Sequence, residues 1–145
     1  MNKNIDINIV LLNKKAKIPV KQHNKDIGYD IFSSKSYQIL PRKITFIETG
    51  FSIELPDGCG GFILPRSGLA SKHSITSINS PGLIDPGYTG EIKIPLINHG
   101  DKTYNLELNE RFAQLVLINV ENVKFNVVDK LKESIRSDKG FGSTG

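Results

Sequence analysis

The stretch NSPGLIDPGYTGEI, Asn79–Ile92, places one aspartate and one tyrosine among residues that form turns. Apolar sequence on both sides predicts a hairpin, with Asp85 and Tyr88 near its tip. An exposed backbone can pair with the edge of a nucleobase as it would with a neighbouring strand. Asp85 would then offer an ionised acceptor beside the ligand, and Tyr88 a flat ring on which a sugar packs. The alternative is an ordinary turn with aspartate in its usual role.

The stretch LPRSGLA, Leu64–Ala70, carries a pattern suited to binding an anion. Arg66 and Ser67 are hydrogen-bond donors, and Gly68 opens a short predicted helix whose first amides face outwards. Arginine is scarce in this chain, 4 residues against 15 lysines, so each arginine is a candidate for a place that needs a planar fork of donors. The alternative is a simple helix N-cap at Ser67.

The end of the chain, ESIRSDKGFGSTG, has almost no apolar periodicity. Phe141 stands between two glycines, with no predicted core of its own to join. A frayed terminus is one interpretation. The other is a flexible tail that closes over a phosphate, with its amides turned toward the anion and Phe141 lying on a flat ring. The polar members of this tail are Arg136, Lys139, Ser143 and Thr144.

The elements that would position these groups are almost all strands. Alternate residues of IDINIVLL are apolar, which is the period of a half-buried strand. Further strands are predicted in ITFIETGFSIEL, GCGGFILP, EIKIPLI, YNLEL and RFAQLVLINV, and only Ser67–His73 predicts a helix. We expect an all-β, jelly-roll-like barrel (a β-clip arrangement) with one short helix. Residues 1–135 would form this single domain, and residues 136–145 the tail.

Composition narrows the class of protein. The chain has 145 residues, a net charge of +4 and a single cysteine, Cys59, so neither an intrachain disulfide nor a cysteine-bound zinc is predicted. No signal peptide and no membrane span is predicted, so we expect a cytoplasmic protein, or a nuclear one in a eukaryote. The lysine-rich stretch NKKAKIPVKQHNK lacks an aromatic platform, so no nucleic-acid partner is predicted.

Five blocks together resemble one family. They are IGYDIFSS, PRSGLA, NSPGLIDPGYTGEI, RFAQLVL and GFGSTG, in an order and spacing similar to those of the homotrimeric dUTPases, from about Ile27 to Gly145. The resemblance implies hydrolysis of dUTP to dUMP and pyrophosphate. That reaction limits uracil incorporation into DNA and supplies dUMP for thymidylate synthesis.

The resemblance also implies a role for each matched residue at the nucleoside. Asp85 would be the catalytic residue, orienting and deprotonating a water that attacks the α-phosphorus in line. Positioning would do most of this work, as is usual in phosphoryl chemistry. Tyr88 would lie under the deoxyribose and leave no room for a 2′-hydroxyl, and Phe141 would stack on uracil. The remaining nucleoside contacts would be Asn79, Leu83, Ile84 and Lys93.

At the triphosphate the resemblance implies a larger set of contacts. They would be Arg66, Ser67, Gly68, Gln114, Arg136, Gly142, Ser143 and Thr144. Asp30 and Arg111 would form a supporting pair behind them. Mg²⁺ would be the cofactor, held by the triphosphate oxygens and water without a direct protein ligand. Each site would be shared by three chains of a homotrimer: the hairpin of one, the phosphate block of a second, and the tail of a third closing over its neighbour.

Two departures and two alternatives accompany the resemblance. Ser137 and Lys139 replace residues common at the start of the family's tail, and Asn109 stands where a turn glycine is common, which a left-handed Asn satisfies. A dCTP deaminase shares a similar hairpin but needs a glutamate ten residues after the hairpin aspartate. Here that position is Pro95, which disfavours this alternative. The other alternative is a nucleotide-dependent regulatory binding protein.

Overall fold

The computed structural model describes residues 5–134. The predicted tail, residues 136–145, lies outside the described residues. Five predicted site residues belong to this tail: Arg136, Phe141, Gly142, Ser143 and Thr144.

Eleven strands and one helix are present in the described part of the chain. In chain order they are β1 Asn8–Leu11, β2 Tyr29–Phe32, β3 Tyr37–Ile39, β4 Ile44–Glu48, β5 Phe51–Glu54, β6 Cys59–Pro65, α1 Ser67–His73, β7 Ile75–Ser77, β8 Gly82–Ile84, β9 Lys93–Asn98, β10 Tyr104–Leu106 and β11 Arg111–Asn119. This confirms the all-β class with one short helix. Alternation in the sequence does not predict β3 or β7, because three residues are too few to establish a period.

The strands form four sheets among residues 5–134, with the orders β1-β5, β10-β3, β2-β11-β6-β8 and β4-β9-β7. The hydrogen-bonded ladder is therefore not closed into a barrel within this part of the chain, although the sheets enclose one core. The core takes residues from all four sheets, including Ile31, Ile47, Phe51, Leu106 and Phe112, each at most 1% exposed. Burial of this apolar surface holds the sheets together.

The longest sheet positions most of the candidate site. Its central pair, β11 and β6, runs antiparallel over seven residue pairs, from Ala113 opposite Pro65 to Asn119 opposite Cys59. On one side β2 pairs with β11, and on the other β8 pairs with β6. β6 therefore lies between β11 and β8 in this sheet. β2 contains Asp30, and Asp85 follows β8, so the sheet positions predicted site residues at both of its edges. No helix among the described residues is long and apolar enough to span a bilayer.

Two turns contain a residue with a left-handed backbone. Asn109, before β11, has φ 63°, the left-handed conformation predicted for it. Gly50 separates β4 from β5 and has φ 74°, a conformation that glycine adopts without steric cost.

Candidate functional site

The stretch Asn79–Ile92, predicted as a hairpin, is a connection between two sheets. β8 pairs with β6, whereas β9 pairs with β4 and β7, so the two flanking strands do not pair with each other. The hairpin prediction is wrong because β8 and β9 each form backbone hydrogen bonds with other strands and not with each other. We call residues 79–92 the crossover loop.

A cleft of about 150 Å³ opens beside the crossover loop. The residues that line this cleft include Ile63, Asn79, Leu83, Tyr88, Lys93 and Pro95. Four of these six are residues predicted to contact a nucleoside. Ile63 and Pro95 add apolar surface, and Pro95 occupies the position where the deaminase alternative requires a carboxylate.

One edge of β8 is open toward any ligand that approaches it. In the described sheet β8 is the terminal strand, paired only with β6 through Gly61–Ile84, Phe62–Leu83 and Ile63–Gly82. The backbone donors and acceptors on its other edge are therefore free to bind a flat ligand with its own pattern of donors and acceptors. Ile84 is buried and Leu83 is exposed, so Leu83 is the side chain of β8 that faces outwards.

Asn79 begins the crossover loop and is oriented by its neighbours. Its Oδ1 accepts a hydrogen bond from the Ser77 hydroxyl at 2.8 Å. A Cβ on Gly82 would lie 3.3 Å from the Asn79 Nδ2, so the glycine leaves room for the amide. The free Nδ2 group of Asn79 can therefore donate to a carbonyl oxygen of a base.

Tyr88 is folded back along the crossover loop. Its hydroxyl donates to the Glu91 carbonyl at 2.8 Å, and the side chain is 48% exposed. The ring therefore presents a face at the cleft while its polar end is occupied within the loop.

Asp85 follows β8 directly and is exposed. Its backbone carbonyl accepts from the Tyr88 amide at 3.0 Å, which forms the turn. Among residues 5–134 no hydrogen bond or ion pair involves the Asp85 carboxylate. Both of its oxygens are therefore available to a water or ligand.

Lys93 lines the cleft, as predicted, but it also belongs to a network of charges. Its Nζ lies 3.5 Å from Glu48 Oε1 and 3.6 Å from Glu91 Oε2. Glu48 in turn pairs with Lys35, and the hydrogen bond from Lys35 lowers the pKa of the Glu48 carboxyl below its ordinary value. Lys93 is thus held between two carboxylates at the base of the crossover loop.

The predicted pair of Asp30 and Arg111 is present, and it contains a third member. Arg111 Nη1 lies 3.1 Å from Asp30 Oδ2, and Arg66 Nε lies 3.3 Å from Asp30 Oδ1. Arg66 also donates through Nη1 to the Arg111 carbonyl at 3.0 Å. The Asp30 carboxylate, 14% exposed, therefore holds two guanidinium groups in place. The three side chains together carry a net positive charge.

Gln114 lies across the same group from β11. Its Nε2 donates to the Pro65 carbonyl at 3.0 Å. Its Oε1 occupies space beside Gly28, where a Cβ would come within 2.4 Å of that oxygen. Gly28, in the block IGYDIFSS, is therefore required to seat Gln114. Gly28 was not among the predicted site residues.

Ser67 and Gly68 are exposed at the start of α1. The N-cap residue is Arg66, with φ −88° and ψ 129° and no side-chain cap hydrogen bond, so the Ser67 N-cap alternative is wrong. A Cβ on Gly68 would find no atom within 4 Å, which leaves open space on that side of the helix.

A polar depression, which we call the cradle, collects these groups. It is lined by Gln22, His23, Asp26, Asp30, Arg66, Ser67, Gly68, Arg111 and Gln114. Gln22 and His23 were not among the predicted site residues, because nothing in KQHNK indicates a nearby arginine pair. The cradle and the cleft have no lining residue in common within the described chain.

These features define a class first: an all-β protein with a cleft open to a strand edge and a polar cradle that contains two arginines, an arrangement suited to binding a nucleotide. The sequence profile of the dUTPase family matches residues 14–145. The chain belongs to the dUTPase family.

Curated relatives and solved structures agree with this assignment. The chain is 45% identical over 141 residues to deoxyuridine 5′-triphosphate nucleotidohydrolase of Crocosphaera subtropica, covering 97% of this chain and 99% of the relative. It is 47% identical over 139 residues to the enzyme of the same name from Clostridium tetani, covering 96% of each chain. The dUTPase of Staphylococcus bacteriophage 80alpha, solved with dUpNHpp, has a TM-score of 0.90 and 28% identity, covering 98% of this chain and 99% of that one.

Proposed function

We propose that this protein hydrolyses dUTP to dUMP and pyrophosphate. The observation that carries the proposal is the position of Asp85, a carboxylate without a partner among residues 5–134 that directly follows β8, the strand whose residues line the cleft. Membership of the dUTPase family and the names of the curated relatives support the same reaction.

The nucleoside would bind in the cleft. The open edge of β8 at Leu83 and Ile84 and the amide of Asn79 would pair with the donor and acceptor groups of uracil. Tyr88 would lie against the deoxyribose, and Lys93 would line the nucleotide. A fixed backbone selects uracil because each base presents a different pattern of donors and acceptors along its edge.

The reaction would occur at the α-phosphorus. A water held by the Asp85 carboxylate attacks in line and forms a bond to phosphorus. The bond from phosphorus to the oxygen bridging to the β-phosphate breaks, and pyrophosphate leaves with that electron pair. The proton of the water passes to Asp85 and then to solvent. Most of the acceleration comes from holding the water and phosphorus in line.

The cradle would bind the triphosphate. Arg66 and Arg111 carry fixed positive charge, and the Ser67 hydroxyl and Gln114 side chain add polar contacts around the phosphates. Asp30 holds the two arginines and keeps their forks in place. Gly68 would leave room for the phosphate chain to approach the start of the helix.

Mg²⁺ would arrive with the substrate. Residues 5–134 contain no cluster of three or more His, Cys, Asp or Glu side chains able to hold a metal ion. The described residues therefore do not fit a site in which the protein alone holds the ion, and we propose that triphosphate oxygens and water supply its ligands. Magnesium would neutralise part of the phosphate charge when bound.

We further propose a homotrimer with three shared sites. The proposal follows the family resemblance, in which the parts of one site come from different chains, and within one chain the cleft and the cradle have no lining residue in common. The second chain would supply the cradle to the first chain's cleft, and residues 136–145 of a third would close over both. Cyclic symmetry then gives three equivalent sites.

The relatives are bacterial, and with the free, buried Cys59 they support a place in the cytoplasm.

Hydrolysis in ¹⁸O-labelled water tests the proposed function. With dUTP and magnesium we expect pyrophosphate rather than orthophosphate, and one labelled oxygen in dUMP. Assays with dCTP and UTP serve as controls and should show much slower turnover. Label in the pyrophosphate would place the attack at the β-phosphorus, and deamination of dCTP would favour the deaminase alternative.

Replacing Tyr88 by alanine should narrow the preference for dUTP over UTP. The lost ring would admit the 2′-hydroxyl of ribose, so we expect the ratio of the two kcat/KM values to fall by about tenfold or more. Tyr88→Phe keeps the ring but loses its hydrogen bond to the Glu91 carbonyl, so the preference should fall less than in Tyr88→Ala. Equal losses on both substrates in Tyr88→Ala would show that the ring only supports the loop.

A further inference from the structure

The ring of Tyr88 is held at two points of the crossover loop. Its hydroxyl donates to the Glu91 backbone carbonyl at 2.8 Å. The ring also lies against Gly90, where a Cβ would come within 2.8 Å of the Tyr88 Oη and 2.9 Å of its Cζ. The position of the ring therefore depends on where the backbone of residues 90–91 is fixed.

The Glu91 side chain fixes that backbone to another part of the protein. Its Oε1 accepts a hydrogen bond from the Gly50 amide at 3.0 Å, across 41 residues of sequence. Its Oε2 lies 3.6 Å from the Lys93 Nζ, and the side chain is only 21% exposed. A part-buried carboxylate with a partner on each oxygen has little freedom to move.

Gly50 is a rigid anchor for this contact. A Cβ at this position would lie 2.6 Å from the Asn13 Nδ2 and 2.8 Å from the Ala16 Cβ, so neighbouring side chains enclose it closely. Its carbonyl accepts from the Leu12 amide at 2.7 Å. Contacts on both sides of the Gly50 backbone therefore set the place to which Glu91 is tied.

We propose that Glu91 is a positioning residue that selects the sugar through Tyr88. The inference rests on the proposed function and adds to it a residue outside the assigned contacts. By holding the carbonyl that accepts from Tyr88, Glu91 keeps the ring where it excludes a 2′-hydroxyl. Glu91 itself need not touch the substrate.

Glu91→Ala and Glu91→Gln separate this role from a general effect on folding. Alanine removes the acceptor for the Gly50 amide and the partner of Lys93. Glutamine keeps an amide oxygen for Gly50 but loses the charge and replaces the oxygen that faces Lys93 by an NH2 group. We expect the dUTP-to-UTP ratio of kcat/KM to fall by about tenfold in Glu91→Ala and to be largely restored in Glu91→Gln. Glu54→Ala is the matched control, because the Glu54 carboxylate also accepts a hydrogen bond from a residue distant in sequence, Asn8, but lines neither the cleft nor the cradle.

The ligand-free protein provides a second readout. With ¹³C-labelled tyrosine, the Tyr88 ring signal is identified by its loss in Tyr88→Phe. In Glu91→Ala this signal should shift or broaden, while those of the other tyrosines stay in place. An unmoved signal, an unchanged substrate ratio, or a glutamine variant no better than alanine would overturn the proposal. A wild-type protein that fails to hydrolyse dUTP would instead refute the proposed function, and the ring signal would still decide whether Glu91 holds Tyr88.

Discussion

Asp85→Asn lowers the turnover of dUTP by at least ~100-fold, the lower range for loss of a group that transfers a proton. Asparagine has the same shape but cannot accept the proton of the attacking water. Because the Asp85 carboxylate is exposed and has no partner among residues 5–134, the change should leave the fold intact. Binding should also survive, which calorimetry with the imido analogue dUpNHpp would measure separately from turnover.

Asp101→Asn is the matched control for this experiment. Asp101 is also an exposed aspartate, paired with Arg42 on the surface at 3.2 Å and away from the cleft and the cradle. Turnover should be unchanged in that variant. Near-normal turnover in Asp85→Asn would remove Asp85 from the mechanism, and lost binding would assign it to substrate affinity instead.

Mixed trimers of two inactive chains should regain activity. One chain carries Asp85→Asn with an intact tail, and the other ends at residue 135 with Asp85 intact. If a tail closes over a neighbour's Asp85, a working site takes its aspartate from the truncated chain and its tail from the mutated one. Random assembly gives one half times one half, so about a quarter of the sites should recover.

A chain with both defects is the control for the mixing experiment. Mixed with the truncated chain, it supplies no tail and should restore nothing. Native mass spectrometry would establish that hybrid trimers are present in both mixtures. If hybrids form and activity stays at the level of the separate variants, each tail serves its own chain and the shared site is refuted.

Local sequence signals predict much of the fold. Helix Ser67–His73 has the bounds that the sequence predicts, and the left-handed Asn109 follows from its place in a turn. The apolar run GCGGFILP becomes β6, in which residues 59–61 and Ile63 are buried. Such features depend on residues close in sequence, and this is why a single chain reveals them.

Features that depend on distant pairing were not predictable in this way. The crossover loop has the turn residues of a hairpin. The strands β8 and β9 nevertheless join different sheets, because β8 pairs with β6 and β9 pairs with β4. The link from Glu91 to Gly50 depends on two loops meeting, and no sequence pattern indicates it. Arg66 joins Asp30 and Arg111 only because β2, β6 and β11 become neighbours.

The ion pair of Asp30 and Arg111 also determines when during folding the cradle is complete. Its members are 81 residues apart in the chain, with Arg66 between them. Contacts so distant in sequence form slowly, because the entropy of closing the intervening chain must be lost first. During synthesis, both arginines cannot be held by one carboxylate until β11 has left the ribosome. A triphosphate that binds the cradle would therefore stabilise the finished subunit and not the nascent one.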